Sequence, residues 1–274
     1  LPVPDLISDT ADLGADHALL RDAVGKAGAL ALQFFRGPLD VREKSKGDPV
    51  SDADLAVDAL LRDLLMKARP DYAWLSEESA ASTNREDKRR IWIVDPIDGT
   101  RAFVKGEPDF TVCAALVQDG HPVLGVVFAP AHGLFFEAQL NCGARVNNTP
   151  IKVSTTQELE DCRMLAAKGM IAHASWQKPW PRMNIENRSS IAYRIALVAR
   201  GEFDAAITLS PTNEWDLAAA QIILTEAGGG LVTHTGERPG YNKPSPKIRS
   251  MIATNLSLQP AIIGRTADVV LPKF

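Results

Sequence analysis

Acidic side chains gather where an apolar run ends. In Trp92-Ile93-Val94-Asp95-Pro96-Ile97-Asp98-Gly99-Thr100, a short hydrophobic stretch reads as a buried strand that delivers Asp95 and Asp98 where the chain turns. Pro96 fixes one backbone angle between them and removes an N–H that would otherwise need a partner. Gly99 lets the backbone pass close to a ligand, and Thr100 adds a hydroxyl. A buried strand ending in two acids carries a desolvation cost, which a hard, oxygen-binding cation such as Mg²⁺ offsets. Further acids stand at comparable places. Glu77 and Glu78 follow Ala73-Trp74-Leu75, and only one of two adjacent side chains at a strand end faces a shared site. Asp54 and Asp216 have a competing explanation. Ser51-x-x-Asp54 and Asn213-x-x-Asp216 have the spacing of a helix cap with an acid at the third helical position. Capping and ligation can coexist, because a helix start holds its carboxylate rigidly.

The elements that must position these acids are mixed α/β. Leu20, Val24, Ala27, Ala31 and Phe34 recur at helical spacing from Asp16 to Phe35, and a second helix begins at Ser51 and runs to Pro70. Residues 72–75 and 91–94 are short strands, each ending in acids. From Phe110 the texture changes to β-prone runs, 110–117, 123–129 and 134–138, separated by Asp119-Gly120 and His132-Gly133. This predicts an antiparallel meander, extended by 145–146 and 151–153. Residues 164–181 read as a loop. Then come a helix over 190–200, a strand over 203–209, a helix from Trp215 to Ala227 stopped by Gly228-Gly229-Gly230, and strands at 231–233 and 250–254. Residues 1–14 are expected to be a loose arm. Residues 15–274 form one domain, in which 15–155 carry most of the acids and 156–274 make a second α/β half.

Composition narrows the function classes. With 45% hydrophobic and 23% charged residues, the chain is an ordinary globular one. A formal charge of −4, with Lys and Arg scattered, leaves no footprint for a nucleic acid polymer. No apolar run approaches the roughly 18 residues that span a membrane. Leu1-Pro2-Val3-Pro4-Asp5 lacks a signal-peptide pattern, and Cys113, Cys142 and Cys162 show no metal-binding spacing. A cytoplasmic location is the simplest expectation.

Asp95-Pro96-Ile97-Asp98-Gly99-Thr100, preceded by Glu77-Glu78-Ser79 and followed by Trp215-Asp216-Leu217-Ala218-Ala219, resembles the inositol monophosphatase superfamily. The motifs occur in that family's order, and the resemblance runs from about Asp16 to about Asn255. It implies a layered α-β-α-β-α sandwich and a Mg²⁺-dependent, often lithium-sensitive phosphomonoesterase that uses two or three ions. Glu77, Asp95, the Ile97 carbonyl, Asp98 and Asp216 are then the expected metal ligands. Asp54 and Thr100 are expected to orient the attacking water beside Glu77, with in-line attack and no phosphoenzyme. The N–H groups of Gly99 and Thr100, opening a short helix, should grip phosphate. A homodimer is a further implication.

The substrate is divided among relatives. Ser210-Pro211-Thr212-Asn213, Phe103-Val104-Lys105 and Phe110-Thr111-Val112 look like the 3′(2′),5′-bisphosphate nucleotidases, the leading expectation. Asp98-Gly99-Thr100-Arg101-Ala102-Phe103 resembles the histidinol-phosphate phosphatases. Leu217–Ala220 with Thr225–Gly229 reads like the inositol phosphatases, although Ala220 replaces the usual glycine. Ser189, Ser190 and Lys105 are candidate substrate contacts, with Arg101 and Arg194 as further cations for a second phosphate. For the serines the competing reading is a helix cap and a turn. For the cations it is solvated surface charge. Two other classes compete with this reading. Phosphatases that form an aspartyl-phosphate use Asp-x-Asp-Gly-Thr, whereas here Pro96 and Ile97 together separate the aspartates, out of that register. A metal- or phosphate-binding regulator would be expected to have lost some of the acids.

Overall fold

The computed structural model describes residues 10–45, 48–174 and 176–272. Helix α1 (Thr10–Phe34) precedes a hairpin, β1 (Val41–Ser45) and β2 (Asp48–Ser51), and then α2 (Asp52–Ala68). β3 (Ala73–Ser76) and β4 (Arg90–Asp98) lead into the short α3 (Thr100–Val104). The meander follows as β5 (Thr111–Gln118), β6 (His121–Ala129), β7 (Leu134–Gln139), β8 (Ala144–Val146) and β9 (Thr149–Pro150). The second half comprises β10 (Arg163–Leu165), α4 (Lys168–Ile171), β11 (Asn184–Glu186), α5 (Ile191–Ala199), β12 (Ala205–Thr208) and β13 (Thr212–Asn213). It continues with α6 (Glu214–Glu226), β14 (Gly229–Val232), β15 (Lys247–Ile248), β16 (Met251–Asn255) and α7 (Gln259–Thr266).

Strands β3 to β9 form a seven-stranded sheet in chain order, parallel only between β3 and β4. A second sheet has the order β11-β10-β12-β16-β14, with β10 parallel to both its neighbours. Two-residue periodicity sorts β4 between layers: Trp92 and Val94 pack with α1 and α2, whereas Ile91 and Ile93 face α5 and α6. The far side of the second sheet is covered by α7. The result is the α-β-α-β-α sandwich. The middle layer is tight: a Cβ on Gly125 of β6 would lie 2.4 Å from the Ala219 carbonyl of α6. No described helix is long and apolar enough to cross a membrane.

Three expectations need correction. α1 begins at Thr10 and so takes in part of the supposed arm, with residues 1–9 outside the described residues. Tertiary contacts favour the longer helix: Leu13 is buried, and Asp16 accepts hydrogen bonds from Arg69 Nε (2.6 Å) and the Tyr72 hydroxyl (2.7 Å). The ladder ends at Thr149–Pro150, so 151–153 is not a strand; Ile151 and Val153 instead donate to the Ala144 and Ala227 carbonyls. The loop over 164–181 contains the end of β10 and all of α4, both too short to display a period.

Candidate active site

One extra residue in β4 makes the site. Asp95 pairs with Cys113 and Asp98 with Thr111, so three steps on β4 match two on β5. In a regular strand, positions three apart face opposite sides of the sheet. The bulge cancels that alternation and turns both carboxylates toward α5 and α6. Pro96, inside the irregular stretch, forfeits no ladder bond because it has no N–H to give. At Gly99 the backbone adopts φ +99°, and a Cβ there would sit 2.8 Å from the Asp109 carbonyl oxygen, so the turn requires glycine.

Asp216 arrives from the second half at the start of α6. One carboxylate oxygen each from Asp95, Asp98 and Asp216 lies within 4.8 Å of the others. Asp95 is 1% exposed, and neither of its oxygens has a hydrogen-bond partner. Burial, followed by the negative charges of Glu77, Asp98, Asp216 and Asp54, pushes its pKa well above the carboxylate range. Asp216 is raised for the same reasons, burial first and then Asp98, with the Asn213 N–H acting in the opposite direction. Asp98 is raised by burial despite two short bonds to its Oδ2, from the Ser190 hydroxyl and the Ala192 N–H, both 2.6 Å. Glu77 is half-buried and stands outside the tight triad, yet its charge acts on both Asp95 and Asp216. A buried carboxylate with two orphaned oxygens among like charges is a poor resident of a protein interior but a good cation ligand. This donor set therefore fits a divalent metal.

Asp54 does two things at once. Its Oδ2 accepts from the Ser51 N–H (2.8 Å) and hydroxyl (2.5 Å), while Oδ1 meets the Thr100 hydroxyl at 3.1 Å. That hydroxyl also lies 2.9 Å from the Ile97 carbonyl oxygen. Its single proton can serve only one of these acceptors at a time. The Asn213 N–H likewise donates to Asp216 at 2.7 Å, so the cap spacing is real at both helices and coexists with the cluster.

The expected substrate contacts divide. Ser190 is fully buried: its hydroxyl accepts from the Tyr193 N–H at 2.9 Å to cap α5, besides donating to Asp98. It faces the carboxylate rather than open space, as the capping reading required. Ser189 is exposed, as are Arg101 and Lys105, the latter at the carboxyl end of α3. Arg194 is half-buried, donates to the Arg188 carbonyl, and its charge reaches Asp98.

Sequence reasoning missed Arg85 and Glu214. Arg85, 5% exposed, donates to Asn242 Oδ1 at 2.7 Å and to the Lys243 carbonyl, while Asn242 Nδ2 returns a bond to the Arg85 carbonyl at 2.8 Å. Glu214 accepts the Asn242 and Lys243 N–H groups at 2.7 and 3.0 Å. The segment carrying Glu77 is thereby tied to the helix start carrying Asp216. Only the position of Glu214, two residues before Asp216, could have hinted at this bridge.

Together the layers and the carboxylate triad define an α/β protein with an acidic cluster that could hold a metal ion. The chain belongs to the inositol monophosphatase family, whose sequence profile matches residues 16–270, and it is by that membership a phosphoric monoester hydrolase. It is 33% identical to the 3′(2′),5′-bisphosphate nucleotidase CysQ of Aggregatibacter actinomycetemcomitans, over 82% of this chain and 88% of that protein. It is 34% identical to the histidinol-phosphatase of Mycobacterium tuberculosis, over 84% and 89%. Among solved structures, the IMPase of Thermotoga maritima superimposes with a TM-score of 0.78 at 30% identity, covering 94% of this chain and 97% of that one.

Proposed function

We propose that the chain hydrolyses a 3′(2′),5′-bisphosphate nucleotide, such as adenosine 3′,5′-bisphosphate, with Mg²⁺ as cofactor. The observation that carries the hydrolytic part is the carboxylate triad, with Asp95 and Asp98 buried, Asp216 half-buried and both Asp95 oxygens unpartnered among the described residues. Glu77, Asp95, the Ile97 carbonyl, Asp98 and Asp216 would hold two or three ions. Bound there, Mg²⁺ neutralises phosphate and leaving-group charge and acidifies water. Asp54 accepts the proton of the attacking water through its contact with Thr100, whose hydroxyl can turn between Asp54 and the Ile97 carbonyl. The N–H groups of Gly99 and Thr100 grip the ester phosphate. Ser190 and the Ala192 N–H hold Asp98 in one rotamer, so it need not reorganise when charge arrives.

The nucleotide choice draws support from Ser210-Pro211-Thr212-Asn213 and from the similarity to the CysQ nucleotidase. The likeness to the IMPase of Thermotoga maritima favours inositol 1-phosphate as the second reading, with histidinol phosphate third. The test is a phosphate-release panel of adenosine 3′,5′-bisphosphate, inositol 1-phosphate, histidinol phosphate and fructose 1,6-bisphosphate with Mg²⁺. The nucleotide should have the highest kcat/KM. A larger value for any other member rejects it.

A further inference from the structure

We infer that a cavity beside the outer face of the second sheet seats the substrate's ring portion, a planar nitrogenous base, with cations at its rim for a neighbouring phosphate. This rests on the nucleotide reading above and adds the residues that would choose the base. The cavity holds about 440 Å³, within the roughly 300–1,000 Å³ typical of small-molecule sites. Met170, Trp176, Lys178, Leu209, Arg265 and Val269 contribute to its walls.

Topology relates it to the carboxylates. β10, β11 and β12 run parallel, so their carboxyl ends share one edge. The end of β11 leads to Ser190, which holds Asp98. The end of β12 leads through Leu209, a cavity wall, to Asn213 and Asp216. The end of β10 leads to α4, which contributes Met170. Of these three adjacent strand ends, that of β12 serves both places, that of β11 the carboxylates and that of β10 the cavity, and such carboxyl edges are where α/β proteins seat ligands.

The chemistry favours a base over a polyhydroxylated ring. Trp176 is pinned by a 2.7 Å bond from its Nε1 to the Met170 carbonyl and by an edge-on contact with Trp180, centroids 5.3 Å apart at 88°. A fixed indole is a stacking platform that accepts any planar ring. The Arg265 guanidinium lies 5.7 Å above the Trp180 ring and donates from Nη1 to the Ala261 carbonyl at 3.1 Å. That contact and that bond hold the Arg265 side chain in place at the cavity wall. Lys178 adds an exposed cation and Asp268 an exposed acceptor suited to an exocyclic amine, while Val270, 94% exposed, lies on the rim.

The full chain tests this in two ways. Calorimetry with adenosine 5′-monophosphate and a chelator, so that no hydrolysis competes, should give saturable binding. Trp176→Leu should weaken it about tenfold or more. Lys178→Ala and Val270→Asp, both at exposed positions that leave packing alone, should each weaken it about threefold. With Mg²⁺, the same variants should raise KM for adenosine 3′,5′-bisphosphate by similar factors, leaving kcat within about twofold and hydrolysis of base-free ribose 3,5-bisphosphate unaffected. Absence of saturable binding, unchanged nucleotide affinity and KM in all three variants, or equal losses for ribose 3,5-bisphosphate would overturn the base seat. Nucleotide hydrolysis that ignores all three variants would keep the substrate reading and remove the seat. Trp176-dependent nucleotide binding in an enzyme that hydrolyses only another ester would do the reverse.

Discussion

The two ends of the acidic cluster are held by different means. Asp95 and Asp98 sit on one strand, aimed by a bulge whose register is fixed by the ladder to β5. Glu77 and Asp216 come from a loop and a helix start in opposite halves, and Arg85 with Asn242, Lys243 and Glu214 joins them by side-chain bonds. The first pair is positioned chiefly by backbone, with Ser190 and the Ala192 N–H fixing the Asp98 rotamer, so changes to the chain's path or to the acids themselves disturb it most. The second pair depends on a buried network, which one substitution can dismantle without touching a ligand.

Variants at each end sharpen that contrast. Asp95→Asn should lower phosphatase activity by about a thousandfold or more while leaving the circular dichroism spectrum unchanged, since it removes a charge that the fold itself does not use. Retained Mg²⁺-dependent turnover would show the triad to be misassigned. Gly99→Ala forces a Cβ against the Asp109 carbonyl at positive φ and should cost about 1–3 kcal/mol in urea unfolding. Activity should fall with it, because the turn places Thr100. Arg85→Met leaves the Asn242 and Lys243 acceptors without their donor and should destabilise by a comparable amount, about 2 kcal/mol. Its distinguishing mark is a raised Mg²⁺ requirement with kcat largely recovered at saturating metal. An unchanged Mg²⁺ titration would mean that the bridge does not position Glu77 and Asp216.

Smaller effects follow from the hydrogen-bonded ligand and from pH. Ser190→Ala removes a charge-assisted bond to Asp98 and should reduce apparent Mg²⁺ affinity about tenfold. For pH, the sign follows from Asp95, Asp98 and Asp216 all being raised in the metal-free protein. The folded chain then holds protons that the unfolded chain has released, so metal-free stability is present at acid pH and is lost as pH rises through the raised values. Divalent metal needs the deprotonated acids and reverses this. Chelation should therefore lower Tm by several degrees at pH 8 and by much less at pH 5. A pH-independent drop would contradict the cluster's electrostatics.

What could be read beforehand follows the range of the interactions involved. The meander announced itself through alternation and Gly-containing turns, and the helices around Leu20, Leu61 and Ile195 through their spacing. The caps at Asp54 and Asp216 were legible because they span four residues. The start of α1 was not, since Asp16 is fixed by Arg69 and Tyr72 from beyond α2. For Ser190 the sequence leaves two readings open, a substrate contact and a helix cap. Its burial against Asp98 depends on a packing of α5 on β4 that no local pattern encodes.

The residue string alone determined which acids the protein possesses, that they follow apolar runs or open helices, and to which family of hydrolases it belongs. It did so because those features are written in neighbouring residues. Only the folded chain decided that Asp95 and Asp98 turn to the same side, that Asp216 meets them from the other half, and that Arg85 ties the segment after Glu77 to Asn242 and Lys243, which Glu214 at the start of α6 holds. Those outcomes come from strand register and buried hydrogen bonds between residues far apart in sequence, and their energies exist only once the layers have packed.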